Sequence, residues 1–308
     1  MRLVKLFGVL LVSIVIAAIS FVYLAPELAL HMALEAEREK SGLTRKQIDL
    51  PDGTRYVYLE GGQGEPLMLL HGFGGDKDNF TRVARYLTPH YRVIIPDHVG
   101  FGESSHPVNV DYSPSAQAKR LHDLAQALHV QNPHLGGNSM GGQIAMTYAA
   151  LYPTEVKSLW LLDPAGVWSA PESELGKIIR ETGRNPLVTK TEDDFAGLFA
   201  FVMNDPPFIP RPMINVMAQA RIKNFDLEQG IFKQIRDDDT EKRIKGLATP
   251  TLIVWGDKDR LLNVAAAEIL HKLLPHSQLI VMPNIGHMPM LEMPQRSAED
   301  YLKFHATH

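Results

Sequence analysis

The sequence predicts an α/β fold built on a mostly parallel, doubly wound sheet, preceded by a helix of membrane-spanning length. Three observations predict it. Short, almost wholly apolar runs alternate with helix-length segments along most of the 308 residues, as in a sheet buried on both faces. The pentapeptide Gly137-Asn138-Ser139-Met140-Gly141 joins one of those runs to a helical one. The alternation breaks only between about Ala165 and Lys245, where Pro, Met and aromatic residues collect. A helical cap inserted after the sixth strand would have this composition.

The N-terminus comes first. Residues 6–24 (LFGVLLVSIVIAAISFVYL) carry no charge, and at 1.5 Å per residue a helix of that length spans roughly the 30 Å of a bilayer core. Arg2 and Lys5 precede it, which by the positive-inside rule leaves the N-terminus in the cytoplasm and the body on the far side, with Tyr23 at the interface. Residues 1–24 are therefore expected to anchor the chain. Ala18-Ile19-Ser20 offers a small-x-small cleavage site, so secretion after signal removal is the competing expectation. The apolar run continues past that site, which favours retention. Residues 25–46 read as an amphipathic juxtamembrane helix, with Leu28, His31, Met32 and Glu35 at helical spacing. It either lies on the membrane as a stalk or packs on the body.

The body follows in order. Strands are expected at Arg55–Glu60, Pro66–Leu70, Tyr91–Pro96, Pro133–Gly136 and Val156–Leu162, with helices at Phe80–Leu87, Ala116–Leu128 and Gln143–Tyr152. After the cap, 165–245, the pattern resumes with strand Thr251–Trp255, helix Val264–Leu274, strand Gln278–Met282 and a last helix from Pro294. Residues 47–164 and 246–308 thus form one core. The chain is 45% hydrophobic and 21% charged, which suits one large domain, and its net charge of -4 without a basic block argues against nucleic acid. It has no Cys, which excludes disulfides, thiolate nucleophiles and Cys-ligated metals.

The chemistry concentrates at the ends of expected strands. A Ser on a sharp strand-to-helix turn needs neighbours two positions away with almost no side chain, and Gly137 and Gly141 meet that need. Such a Ser requires a base, and the base a carboxylate to orient it. His287, after the QLIVM strand and preceded by a Gly that frees its loop, is the base; Asp259, after TLIVW, is the acid. Asp257 braces the turn, and Asp163 is an outside candidate for the acid. Backbone N–H groups of Phe73 and Met140 stand where an oxyanion would form. The loop His71-Gly72-Phe73-Gly74-Gly75 lacks the Lys-Ser/Thr ending of a phosphate loop, and His71 is expected to brace it.

With these residues in this order, the chain resembles the α/β-hydrolase superfamily along nearly all of 47–308. It is most similar to bacterial lipases of the Moraxella and Psychrobacter type, and also to membrane-anchored monoacylglycerol lipases and phospholipases A. The resemblance is carried by Tyr58–Asn79, Pro96–Ser104, Gly136–Gly142, Trp255–Asp259 and Gly286–Pro289. His98-Val99 departs from it, since relatives usually carry Leu-Pro or Leu-Leu there. The resemblance implies an α/β-hydrolase fold, with Ser139 as nucleophile, Asp259 as acid, His287 as base and Phe73 and Met140 as oxyanion donors.

The expected activity is hydrolysis of fatty-acyl lipid esters through an acyl-enzyme, with no metal or cofactor. Trp168, Phe199, Met203, Phe208, Met213 and Met217 are candidate lining for the acyl chain, or simply packing of the cap. Expected partners are a lipid or fatty-acyl ester and the membrane, and the anchor helix could pair subunits into a homodimer. The expected location is the bacterial inner (cytoplasmic) membrane, single-pass, with the body periplasmic. The alternatives are a carbon–carbon or small-ester hydrolase on the same triad and a non-catalytic anchored module that binds a ligand or assists a lipase.

Overall fold

The computed structural model describes residues 2–306. Met1, Thr307 and His308, together with the side chains at 2–6, 8 and 9, lie outside that description; so do the side chains of Arg2 and Lys5, on which the expected orientation rests. Helix α1 (Arg2–Leu24) gives way at Ala25 to α2 (Pro26–Lys40), whose Pro sits at its first position, where a missing N–H costs nothing. Among the described residues no single helix is long and apolar enough to cross a membrane; Leu10–Leu24 passes only together with α2, from which it is bent by 109°.

The expected juxtamembrane helix over 25–46 is corrected here. It stops at Lys40, Gly42 takes a left-handed φ of 64°, and β1 (Leu43–Asp49) pairs antiparallel with β2 (Arg55–Gly61) from Leu43↔Gly61 to Asp49↔Arg55. This edge strand is almost all polar and exposed, and its backbone ladder holds it.

The chain continues through β3 (Glu65–Leu70), a 3₁₀ turn (Lys77–Phe80) running into α3 (Thr81–Ala84), β4 (Tyr91–Pro96), α4 (Pro114–Ala127), β5 (His134–Asn138), α5 (Met140–Leu151) and β6 (Ser158–Leu162). Five helices then leave the sheet: α6 (Glu174–Thr182), α7 (Glu192–Val202), α8 (Arg211–Lys223), α9 (Phe225–Arg236) and α10 (Thr240–Ile244). The fold closes with β7 (Thr251–Gly256), α11 (Ala265–Leu273), β8 (Ser277–Met282), α12 (Pro289–Glu292) and α13 (Pro294–His305).

The eight strands form one sheet in the order β1-β2-β4-β3-β5-β6-β7-β8, in which β2 pairs antiparallel with both β1 and β4 and all other pairs are parallel. Strands β5, β6 and β7 are buried along their whole length, which explains their continuous apolar runs. One face packs on Leu121 and Leu124 of α4, Ile144 of α5 and Leu270 of α11. The other packs on Val83 of α3 and Tyr301 and Phe304 of α13, with Trp160 stacked on Tyr301 at 4.8 Å. The parallel order brings the carboxyl ends of β3, β5, β6, β7 and β8 to one rim. That rim is where open α/β sheets build their sites.

The turn from β5 to α5 is tight. A Cβ on Gly141 would come to 2.1 Å from the Leu70 carbonyl oxygen, and one on Gly137 to 2.4 Å from Gly141 backbone. Because both clashes are with backbone, no side chain can swing away. Gly141→Ala is expected to lose about 3 kcal/mol of stability in urea unfolding. A loss under about 1 kcal/mol would mean the turn has room.

Candidate active site

Ser139 sits between β5 and α5 with φ 54° and ψ -120°, a conformation an L residue adopts only when its surroundings force it. Its N–H donates to the Leu162 carbonyl at 3.1 Å, and its own carbonyl accepts from Gln143 and Ala165 at 3.1 and 3.0 Å. The side chain forms no helix cap, so its hydroxyl is not used to hold the turn.

His287 follows β8. Its Nδ1 lies 2.7 Å from Asp259 Oδ2, and Asp259 Oδ1 accepts the N–H groups of Leu261 and Leu262 at 2.8 and 3.1 Å. With Asp259 Oδ2 as its acceptor, the partner assignment puts the imidazole proton on Nδ1 and leaves Nε2 free as a base. Both side chains are almost fully buried. Asn138, one residue before Ser139, ties this loop to β5: its Nδ2 donates to the carbonyls of Leu162 and His287 at 3.0 and 2.9 Å. The geometry thus joins Asp259 to His287 directly and the His287 loop to the strand that carries Ser139. A Ser139–His287 hydrogen bond is not formed, as is common in unliganded sites.

Gly286 does something other than free its loop. A Cβ there would come to 2.7 Å from Asn204 N and 2.8 Å from the Val202 carbonyl, and His287 N donates to that same carbonyl at 2.8 Å. The glycine lets the end of α7 lie flat against the His287 segment. Glu292 fixes the arrangement by accepting from Gly286, Asn204 and Asp205 N–H groups. Asp257 accepts from Asn284 N at 2.6 Å, bracing the turn.

Asp163, at the end of β6, is fully buried and takes Gly256 N–H on Oδ1 at 2.8 Å. Burial, and then the charge of Asp259, push its carboxyl well above the usual range. Burial beside Asp259 thus favours the protonated form of Asp163. Nothing in the sequence signalled that.

The loop after β3 is a four-residue turn. Gly75 N donates to the Gly72 carbonyl at 3.1 Å, and Gly74, the third residue, has φ 69°, as a turn of this type requires. A Cβ on Gly72 would meet Ser139 Cβ at 3.1 Å, so the loop lies against the nucleophile candidate. Among the described residues, neither the Phe73 nor the Met140 N–H is taken by another protein group. His71 braces the turn as expected: Nδ1–H donates to the Gly72 carbonyl at 2.8 Å, and Nε2 accepts His98 N–H at 3.0 Å. Burial lowers its pKa to about 4, so it is neutral. The departure at His98 sets a second imidazole against the first, tilted by 60° with centroids 4.6 Å apart.

Two arginines that carried no signal in the sequence grip this loop region. Arg38 of α2, buried, forms a two-pronged pair with Asp78 at 2.7 and 2.6 Å, and Arg221 of α8 donates to the Gly74 carbonyl at 2.7 Å. The candidate lining residues are dispersed. Met203 is buried in a cavity of about 350 Å³ bordered by Asp257, Asp259 and Arg260. Phe199 meets Phe195 edge-on within α7, Met213 is buried and Met217 half-buried on α8. Trp168 donates its indole N–H to the Asp238 carbonyl, and Phe208 stands out into solvent at 92% exposure rather than lining a pocket. Glu65, His134 and His305 also converge, at the opposite end of the strands, but His134 and Lys157 already take up the Glu65 carboxylate.

The fold and this rim define an α/β-hydrolase. The alpha/beta hydrolase fold family matches residues 65–294, and the chain belongs to it. Lipase 1 of Psychrobacter immobilis is 48% identical over 279 residues, covering 88% of this chain and 87% of its own. A solved membrane phospholipase A, described as a bacterial virulence factor, is 38% identical with a TM-score of 0.88, covering 100% of this chain and 99% of that one. Monoacylglycerol lipase ABHD6 of Homo sapiens is 27% identical, with 82% of each chain covered.

Proposed function

We propose that this carboxylic-ester hydrolase cleaves fatty-acyl esters of membrane lipids through an acyl-enzyme formed on Ser139. One observation carries the reading: Ser139 is held at φ 54° beside a His287–Asp259 pair of 2.7 Å, on a loop fastened to its own strand by Asn138. His287 Nε2 takes the Ser139 proton as the oxygen attacks the ester carbonyl. The negative charge then develops toward the Phe73 and Met140 N–H groups. The imidazolium, balanced by Asp259, hands its proton to the leaving alcohol, and water repeats the sequence to release the fatty acid. The lipid assignment is supported by the lipase and phospholipase names of the relatives.

Membrane anchorage is the second part of this proposal, with the body on the periplasmic face of the bacterial inner membrane. It is supported by α1, whose Phe7, Leu10, Leu11, Ile14 and Ile16 are all more than half exposed, an arrangement that water would penalise. In detergent, the full chain is expected to release fatty acid from long-chain glycerides or phospholipids faster than from acetyl esters, and fluorophosphonate is expected to label Ser139. Preference for acetyl esters would overturn the lipid assignment, and a folded protein without the adduct would overturn the serine route. The full chain should stay with membranes through a high-salt wash, and removal of residues 1–24 should release it; a mature chain starting near Phe21 would sink the anchor.

A further inference from the structure

The Phe73 N–H can stabilise an oxyanion only if its peptide plane is held at a fixed angle, and a Gly-rich turn has little stiffness of its own. Gly75 N and His71 Nδ1 hold the Gly72 end of the turn, and what holds its Gly74 end comes from the cap. Arg221 Nη1 donates to the Gly74 carbonyl at 2.7 Å, and the guanidinium lies flat over Gly74. A Cβ at that position would meet its carbon and both terminal nitrogens at 2.2–2.3 Å. Gly74 therefore serves two needs at once: the φ of 69° and the space for the arginine.

Three of the four remaining N–H groups of the same guanidinium are used within the cap. Nε donates to Glu228 Oε1 at 2.6 Å, and Nη2 donates to Glu228 Oε2 at 2.8 Å and to the Leu187 carbonyl at 2.6 Å. Glu228 lies on α9 and Leu187 in the segment before α7, so one side chain on α8 joins three parts of the cap to the oxyanion turn. The Phe73 ring adds a second contact, packed edge-on between Phe101 and Phe232 of α9 at 5.6 and 5.4 Å, with Arg221 at 5.8 Å from its centre. Burial raises the Glu228 carboxyl, and Arg221 pulls it back down, so each of the pair needs the other.

We propose that Arg221 is a positioning residue for the oxyanion hole: by bonding the Gly74 carbonyl it fixes the 72–75 turn only while the cap is seated, and so makes transition-state stabilisation conditional on cap closure. The proposal rests on the oxyanion role of Phe73 in the reading above. The Gly74 carbonyl shares its peptide plane with the Gly75 N–H, which donates at 3.1 Å to the Gly72 carbonyl in the plane of the Phe73 N–H. Releasing the first plane therefore loosens the second. Lysine cannot replace the arginine, because a single ammonium cannot reach Gly74, Leu187 and both Glu228 oxygens in one plane.

The test uses the full chain in detergent with a short-chain p-nitrophenyl ester and an aryl boronate, which forms a tetrahedral adduct on the serine. Arg221→Lys is expected to lower kcat by about 10- to 100-fold, short of complete loss of a donor, with KM changed less than about 3-fold. Boronate affinity should weaken by the same factor as kcat. Arg221→Gly should lose as much, and added guanidinium ion should restore part of it; if that variant does not fold, the lysine variant carries the test. Arg211→Ala, on the same helix as Arg221, breaks only exposed contacts with Asn215 and with Asp193 of α7 and should keep the parent's kcat. A folded Arg221→Lys with the parent's kcat overturns the proposal, as does a loss confined to KM or one that boronate affinity does not follow. If instead Ser139→Ala retained activity, it is the serine route that would fail, not the role of the arginine.

Discussion

Ser139→Ala is expected to abolish ester cleavage, lowering kcat by roughly 10⁴-fold or more, while its unfolding free energy stays within about 0.5 kcal/mol of the parent's. The two halves of this expectation come from the same geometry. Alanine keeps the Cβ and therefore keeps the backbone at φ 54°, with its strain unrelieved. The hydroxyl caps nothing, so its removal leaves no buried donor or acceptor behind. What is lost is the only oxygen the reaction can use at that point. Paired kcat measurements and urea titrations check it: retained turnover rejects the nucleophile, and a large fall in stability would mean that the hydroxyl supports the turn.

The sequence made the rim legible because its chemistry is written in local patterns. Gly137 and Gly141 flank Ser139 in a pattern confined to five residues, although Gly141 also clears the Leu70 carbonyl, and Asp259 and His287 each follow an apolar run of strand length. The features it hid depend on partners far along the chain. β1 went unread because Thr44–Asp49 has no apolar period; an edge strand held by its ladder needs none. Arg221 gives no local sign that it will lie on Gly74, 147 positions away. Gly286 looked like a hinge, and only the folded chain shows Val202–Asn204 filling the space where its side chain would be. The cap illustrates the same limit from the other side. Its aromatic and Met content was plain, but which of them point inward depends on five helices packing together, and Phe208 ended outside.

Two carboxylates at this rim should respond in opposite ways to the same substitution. Asp259→Asn replaces an acceptor facing His287 Nδ1 with an amide that can present its NH₂, which favours the tautomer protonated on Nε2 and removes the base; kcat should fall roughly 10⁴-fold. Asp163→Asn should leave kcat near the parent's, because asparagine reproduces what a neutral acid does there. Its oxygen accepts from Gly256 N–H, and its NH₂ faces Asp259. The groups that face Asp163 are Asp259, His287 and Glu292, and burial with the Asp259 charge raises its folded pKa. A raised folded pKa means its contribution to stability is fully present below the unfolded value near 3.9 and is lost as pH climbs toward the folded one. The parent should therefore weaken relative to Asp163→Asn from about pH 4 upward, by up to about 1.4 kcal/mol per pH unit while the native state keeps the proton. Urea titrations at several pH values, run beside kcat, test both carboxylates. A stability gap that does not change with pH would show Asp163 ionised in the native state, and an Asp163→Asn defect as deep as that of Asp259→Asn would move the orienting role to the end of β6.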